Sequence, residues 1–477
     1  MSSKVVSGLR AVRLVGDRAD PTVPLAVGEI ARGLGLTLSS ASRLCAELDR
    51  ADLLERGEAY GTYRLGSASI RLSGEAAAPF ARVVRHALIT LGQQTGETAF
   101  LAAPTSAGAV VVAAVVSAWT LYSPAEVGEA IADERSAVVR ALRRDDGDET
   151  ARWLDSANGN GVEIATPVRT PSGECVAALA VRLPVNRTKD GVRVARRALD
   201  AARRTLERTI AGRLEEGRPA PASSRDDAVS RRPAHDAIDA AVAVLRHLAA
   251  GPDGASGIAH STGLRRDRVL RLLRSCELAG LVHTGQDGGT VRLGWAVHGW
   301  YRATAAPLML ERGAPLVAAA ARRTGACAFI TVLRGMRSVT LVEELEDIGD
   351  GLAMTPWLGR PCPITGADGG PTLVMDLDTD ELAPLLPRRV SSYEQDEFLE
   401  RVRAVTQDGV LAKESIEEAG LVSISAPIRD ASGTVAAAAC LVGTTEDMKP
   451  RIRRLEAAAL ELAAHVSALL TGRPQPG

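Results

Sequence analysis

The chain has 477 residues, of which 46% are hydrophobic and only 3% aromatic, and its formal net charge is −1. That length is too great for one hydrophobic core, and the scarcity of rings leaves the cores to Ala, Val and Leu. A near-neutral balance excludes a uniformly basic surface, so any nucleic-acid binding has to come from local patches.

Val5, Leu9, Val12 and Leu14 recur at helical spacing and predict a helix over 5–15. A second is predicted over 25–34, with Val27, Ile30, Ala31 and Leu34 on one face. Gly33 and Gly35 punctuate it, and Thr37 is a good N-cap for a third helix that runs to about Ala51. Residues 53–56 and 60–65 then alternate as two short strands around a Gly57-Glu58 turn. Helix, helix, turn, helix, hairpin is the pattern of a winged helix-turn-helix. The same order returns with a helix over 238–248, another including 256–260, a third over 265–279 and a hairpin over 281–293 turning at Asp287-Gly288-Gly289. Gly35 to Gly66 and Gly263 to Gly294 span equal lengths (66 − 35 and 294 − 263), which marks a duplicated unit.

Each predicted head is followed by a mixed α/β segment. Thr95-Gly96-Glu97-Thr98-Ala99-Phe100-Leu101 pairs with Thr324-Gly325-Ala326-Cys327-Ala328-Phe329-Ile330, and Ile164-Ala165-Thr166-Pro167-Val168-Arg169 with Ile424-Ser425-Ala426-Pro427-Ile428-Arg429. The offset grows from 229 (325 − 96) to 260 (427 − 167), so the first copy is the shorter between these landmarks. Long helices over 192–214 and 450–470 close the copies. The Pro-, Ala-, Ser-, Arg- and Asp-rich stretch 215–234 has no apolar period and is expected to be a flexible linker.

In order and spacing these motifs resemble the IclR family of transcriptional regulators, arranged as a tandem fusion of two copies. The resemblance is carried by Glu29-Ile30-Ala31-Arg32-Gly33-Leu34-Gly35-Leu36, Arg43-Leu44, Tyr63-Arg64-Leu65-Gly66, Thr95-Gly96-Glu97-Thr98 and Ala426-Pro427-Ile428-Arg429-Asp430-Ala431-Ser432-Gly433. It implies an α/β (α+β) multidomain protein. Winged helix-turn-helix domains are expected over 1–72 and 235–298, and GAF-like effector domains over 76–214 (reduced) and 300–471. It also implies a cytoplasmic, ligand-responsive bacterial repressor that binds a double-stranded DNA operator and a small-molecule effector and forms a homo-oligomer, a dimer. A tandem chain could itself supply a dimer's two heads.

A helix in the major groove reads bases with its first turns. In the first copy those positions hold Ser39, Ser40, Ser42 and Arg43, and in the second Arg265, Arg266, Arg268, Arg271 and Arg274. The wing residues Arg64 and Arg292 could reach phosphate or the minor groove. Exposed helix faces are often charged for solubility alone, which weighs evenly against the first face; five arginines in ten residues favour DNA contact for the second. Because the two faces differ, an asymmetric operator is expected.

The stretch 359–370 resembles the family's effector-pocket loop. Thr365 stands where a His is usual, Gly370-Pro371 where Gly-Lys is usual, and Ser423 where a later strand often has Cys. Cys362, Thr365, Asp368, Glu414, Ser423 and Ser425 form the expected pocket, although any one of them could be an ordinary loop or strand residue. The first copy shows no counterpart of 359–370 and has Glu163 in place of Ser423, so a reduced, ligand-free domain is expected there.

Other chemistry is sparse. Six scattered cysteines form no C-x-x-C pair, suiting a reducing compartment, and only Cys362, between two prolines, stands out as a candidate exposed thiol. Seven histidines do not cluster, so neither metal nor cofactor is expected, and no hydrolase, Walker or zinc-protease motif is present. Glu343-Glu344 and Glu346-Asp347 read as a solvated acidic run, a cation or ligand-amine site being the lesser alternative. No signal-peptide pattern opens the chain, and the apolar run 109–118 is about half of what a membrane helix needs. The rival readings are a winged module for protein contacts without DNA binding, and an enzyme on a GAF-like pocket.

Overall fold

The computed structural model describes residues 3–143, 154–158, 161–215, 236–285, 288–346, 354–366, 369–387, 391–415 and 419–473. Nearly all of the expected linker, with Asp287, Asp347 and Asp368, lies outside them. The chain divides into two compact units, Met1–Ala303 and Thr304–Gly477.

Unit 1 opens with α1 (Ser3–Gly16), β1 (Leu25–Ala26), α2 (Val27–Leu34), α3 (Leu38–Arg50), β2 (Leu54–Arg56) and β3 (Thr62–Leu65), the strands ordered β1-β3-β2. The helix expected over 25–34 begins only at Val27. Leu25 and Ala26 instead pair with Tyr63 and Thr62, and the Ala26 N–H donates to Glu29 Oε2 at 3.1 Å. Gly35 ends α2 at φ 64°, where its N–H satisfies the Ala31 and Arg32 carbonyls. Ile30, Ala41, Leu44, Cys45 and Leu48 are buried between the helices, as their spacing predicts. Gly66 follows β3 so closely against the Asp52 and Leu53 backbone that an added Cβ would lie 2.2 Å from the Asp52 oxygen.

The 29-residue α4 (Ser67–Thr95) then runs unbroken through the expected domain boundary at 72–76 and leads into an antiparallel sheet. This comprises β4 (Thr98–Thr105), β5 (Gly108–Val115), β6 (Ala130–Ile131), α5 (Ala137–Leu142), β7 (Leu154–Asn158), β8 (Gly161–Arg169) and β9 (Cys175–Pro184), ordered β6-β5-β4-β9-β8-β7. One face, with Leu101, Ile164, Leu179 and Val181, packs on Leu88 and Leu91 of α4 and on Leu199 and Leu206 of α6 (Thr188–Glu215). The other face, with Phe100, Ala165 and Ala180, packs on Val138 and Val139 of α5.

Unit 1 continues with α7 (Ala237–Ala249), β10 (Asp253–Gly254), α8 (Ala255–Thr262), α9 (Arg266–Leu278), β11 (Val282–Thr284) and β12 (Thr290–Leu293), the strands ordered β10-β12-β11. This group therefore packs with the first group and the first sheet, whereas the sequence suggests a break at the linker. Composition shows where a chain is unstructured; it does not show which side of the break an amphipathic helix chooses as partner.

A 3-10 turn (Trp295–Gly299) and α10 (Trp300–Leu308) lead out of unit 1, followed by a π turn (Met309–Gly313) and α11 (Ala314–Thr324). These stand where the first copy has α4 alone. The offset between copies is 228 at Gly263, Gly294 and Pro307 (263 − 35, 294 − 66 and 307 − 79) but 229 at Gly325 (325 − 96). The spacing is thus one residue longer between Pro307 and Gly325, where the π turn stands, and a π turn accommodates one additional residue in a helix.

Unit 2 holds β13 (Cys327–Arg334), β14 (Arg337–Glu344), β15 (Pro361–Pro363), α12 (Gly370–Val374), α13 (Thr379–Leu382), α14 (Ser392–Asp408), β16 (Leu411–Glu414), β17 (Leu421–Arg429), β18 (Val435–Thr444), α15 (Thr445–Met448) and α16 (Ile452–Thr471). Its sheet order, β15-β14-β13-β18-β17-β16, matches that of unit 1. Even the irregularities correspond, at Leu101/Ala102 and Ile330/Thr331, and at Val168/Arg169 and Ile428/Arg429. The first copy does have a counterpart of 359–370, in β6 and α5. Most of its shortening lies at 143–153, opposite 375–410 with α13 and α14.

Candidate functional site

On α3, Ser39, Ser42 and Arg43 are exposed. Ser40 is turned to the cap: the Thr37 and Ser40 hydroxyls are 2.9 Å apart, and Thr37 Oγ1 accepts the Ser40 N–H. On α9, Arg265, Arg266, Arg271 and Arg274 are exposed, and Arg271 lies 3.5 Å from Asp267. Arg268 leaves this face: half-buried, it donates to the Asp236 carbonyl at 3.1 Å, at the start of α7. Position 268 adjoins the buried Val269 around the helix, which draws its guanidinium towards the neighbouring helix rather than towards solvent.

The wing arginines also differ from expectation. Arg64 pairs with Glu55 across β2 and β3 at 2.9 Å, its side chain 12% exposed. Arg292 forms an ion pair with Glu174, beside the β8–β9 turn of the first sheet. Both sit at half-buried positions of an alternating strand, where partial desolvation favours an ion partner. Periodicity does not reveal Tyr60, fully exposed in the first wing turn, or Leu38 and Leu270, large apolar side chains exposed on α3 and α9. A ring in a turn of an aromatic-poor chain was the available signal for Tyr60.

The two helical groups are joined through α1. Arg10 and Arg13 donate to the Leu278 and Ala279 carbonyls, each at 3.1 Å, so a helix of the first group supplies the C-terminal cap of α9. Asp17 holds Arg13 at 2.7 Å and accepts from Trp300 Nε1 at 2.7 Å.

In unit 2, a cavity of about 70 Å³ opens on the sheet face opposite α16. Thr331, Ser338, Thr340, Cys362 and Cys440 line it, with Trp357 and Arg360 contributed by the segment before β15. Ser423 and Ser425 share the face of Val442 and Cys440, to which they are paired. Ser425 and Thr372 share a hydrogen bond of 2.7 Å. Ser423 is 6% exposed and its hydroxyl has no partner among the described residues. Thr365 is half-buried beside the lining residue Gly366, and Asp368 lies outside the described residues. Glu414 does not join this group. It is exposed and paired with Lys449, whose hydrogen bond and charge hold its carboxyl below the usual range. A residue on the edge strand β16 has solvent on its free side; its chain neighbour Ser415 lines the cavity instead.

The corresponding position of unit 1 is occupied from within. Glu163, 6% exposed, accepts from Ser136 Oγ at 2.6 Å, from the Val138 N–H at 3.2 Å and from Arg182 Nε at 3.0 Å. Arg182 also reaches Glu129 at 2.8 Å and lies 4.7 Å from the Phe100 ring.

All six cysteines are free; Cys45, Cys276, Cys327 and Cys440 are buried, and burial pushes the Cys45 and Cys276 thiols up to about 11 and about 12. Cys362 is only half-buried. Glu343 is not a solvated charge: its Oε2 accepts the Trp357 N–H at 2.7 Å, fastening a wall of the cavity. Among the described residues no group of three or more His, Cys, Asp or Glu could hold a metal ion, and no helix is long and apolar enough to cross a membrane.

Two family profiles match the chain: the IclR helix-turn-helix domain over residues 8–58, and the bacterial transcriptional regulator IclR C-terminal domain over 309–468. No curated protein matches it. Among solved structures, a transcriptional regulator from Rhodococcus sp. RHA1 is 23% identical, covering 50% of this chain and 98% of its own, with a TM-score of 0.31. HmgR of Pseudomonas aeruginosa is 20% identical, covering 48% and 96%, with a TM-score of 0.35. An IclR homolog from Microbacterium hydrocarbonoxydans complexed with 4-hydroxybenzoate is 20% identical, covering 50% and 100%, with a TM-score of 0.30. By both profile matches the chain is an IclR-family transcriptional regulator, with the family's DNA-binding helix-turn-helix domain near its N-terminus and its effector-binding domain in the C-terminal part.

Proposed function

We propose that this regulator is a tandem protein, a cytoplasmic repressor that reads an asymmetric operator with two winged heads in one chain. The observation that carries the reading is the face of α9. Arg265 and Arg266 stand at the N-terminal end of that helix, where a cation opposes the helix dipole, and Arg265 provides no side-chain cap. Two arginines maintained against that cost, with Arg271 and Arg274 exposed further along the same helix, make sense if a phosphate backbone neutralises them. The equal strand orders of the two three-stranded sheets and the shared glycine spacing support the same reading. Ser39, Ser42 and Arg43 would make the lighter contacts of the first head, and the cap that α1 places on α9 would keep the two reading helices at a set spacing.

The effector site is the cavity of unit 2. Thr331, Ser338, Thr340 and Cys362 in its lining suit a small polar ligand, with the buried, unpartnered Ser423 hydroxyl next to the lining residue Val442, and the loop bearing Trp357 and Arg360 would move to admit a larger one. A ligand that prefers one arrangement of the effector domains would shift operator affinity by that difference in binding. Homo-oligomerisation is left to surfaces other than the part of α1 engaged with α9.

Selection of bound sequences from a random DNA library by the full chain tests this. Two unlike half-sites at fixed spacing are expected. Replacing Arg265, Arg266 and Arg271 by Ala should flatten the slope of log K against log salt by about 0.9 for each phosphate no longer neutralised. An unchanged slope, or no enrichment even at low salt, overturns the DNA-reading assignment in favour of protein contacts.

A further inference from the structure

A second cavity, of about 430 Å³, lies inside unit 1, walled by the α4–α6 side of the first sheet and by the second helical group. Its walls are apolar and aromatic. Phe80 of α4 and Trp295 have ring centroids 5.1 Å apart, and His298 lies 4.9 Å from Trp295. Val176 and Ile210 from the sheet and α6, and Leu248 from the end of α7, complete the apolar surface. A chain with 14 aromatic residues in 477 (Phe 4, Tyr 5, Trp 5) has placed two of them, with a histidine ring, around one space. His298 is neutral there, because burial drives its pKa down to about 3, with Arg302 and Arg292 acting in the same direction. Charge enters the lining only as Arg213 and Arg292, and among the described residues no carboxylate belongs to it.

We propose that this cavity is a second small-molecule site, for a flat apolar acid: a fused-ring or substituted aromatic carboxylate. The ring body would lie against Phe80 and Trp295, and the carboxylate would sit at the Arg213 side, next to Arg292, which Glu174 already holds. A volume of this size falls within that of ligand pockets, which are mostly apolar with a few placed polar groups. Because the walls come from both the first sheet's helices and the second helical group, such a ligand touches both and favours the arrangement in which they enclose it. The site is separate from the effector cavity of unit 2, and its occupancy does not depend on the protein's reading DNA.

Titration calorimetry of the full chain with 2-naphthoate tests the proposal without DNA. Saturable binding is expected, at least tenfold weaker in Ala250→Trp, which fills the space from an exposed lining position, and in Arg213→Glu, which reverses the charge at the helix end. The neutral 2-naphthamide should also bind at least tenfold more weakly. Wild-type affinity in Ala250→Trp, or no saturable heat with the wild type, overturns the site. Equal affinity for acid and amide overturns its selectivity for acids.

Discussion

Glu163 on β8 and Ser423 on β17 occupy one register position in two sheets of identical strand order, and they face opposite fates. Glu163 is paired across the strands with Arg182, and its carboxylate is met by the Ser136 hydroxyl and the Val138 N–H. Ser423 is paired with Val442, and its buried hydroxyl meets nothing among the described residues. The backbone is repeated even to its bulges, so the fold does not decide what the face does; one cross-strand pair does. A Glu–Arg pair brings ligand-like charges into the protein and satisfies them, while a Ser–Val pair leaves a polar group unsatisfied. This gives physical content to the expectation that the first domain is reduced and ligand-free, although its cleft is not small: about 900 Å³ open beside Glu163 and Arg182.

The contrast is sharpest where the β2–β3 and β11–β12 hairpins end, and the largest predicted effect lies there. His298 follows the β11–β12 hairpin at the position where Ile70 follows β2–β3 (298 − 70 is again 228). Its folded pKa of about 3 lies far below the unfolded value near 6.5. The unfolded chain therefore takes up a proton below pH 6.5 that the fold refuses until about pH 3. Stability from this group is complete above pH 6.5 and is lost as the pH falls through that window, by up to about 5 kcal/mol. Carboxylates titrate in the same range, so the measurement is a difference: amide hydrogen exchange of unit 1 across pH 7 to 4 in wild type and in His298→Ile. The variant should lose less stability on acidification. Parallel curves would mean that His298 is protonated in the fold.

Next in size is Glu163→Ala. Removing one partner of a buried ion pair leaves the other partly uncompensated, and here the Ser136 and Val138 donors lose their acceptor as well. A loss of about 3 kcal/mol is expected, somewhat tempered because Arg182 keeps Glu129. It should appear as faster exchange of β8 and β9 amides, with unit 2 unaffected. A change below about 0.5 kcal/mol, the range of an ordinary surface substitution, would mean that the carboxylate is solvated and the internal-ligand reading is wrong.

Much of this architecture was legible as punctuation. Gly35 and Gly263 take a positive φ and Gly66 leaves no room for a Cβ, while Gly294 ends its strand as Gly66 does, so their equal spacing followed two hairpins of the same strand order. Even the π turn was written in the numbers, as the step from 228 to 229 between Pro307 and Gly325. Side-chain partners were not legible, because they are set by tertiary neighbours. Arg268, Arg292 and Glu414 look like free charges along the chain, yet the fold ties them to Asp236, Glu174 and Lys449. The grouping of the second helices with unit 1 was hidden for the same reason: the hydrogen bonds of Arg10 and Arg13 to Leu278 and Ala279 cross more than half the chain and leave no local trace.

The smallest effect is the one whose sign matters most. Ser423→Ala removes a buried hydroxyl that has no partner among the described residues, so desolvation no longer counts against the fold. Unlike Glu163→Ala, it should leave unit 2 as stable as before or stabilise it by about 1 kcal/mol. It should also weaken a small molecule that reaches past the lining Val442 of the unit 2 cavity to that hydroxyl, because the ligand group would then be buried without its bond. Denaturant unfolding and ligand-induced stabilisation of the same variant read the two effects separately. A Ser423→Ala protein that is clearly destabilised without ligand would show that the hydroxyl is already satisfied, and the two sheets would then differ in the identity of an internal partner rather than in having one.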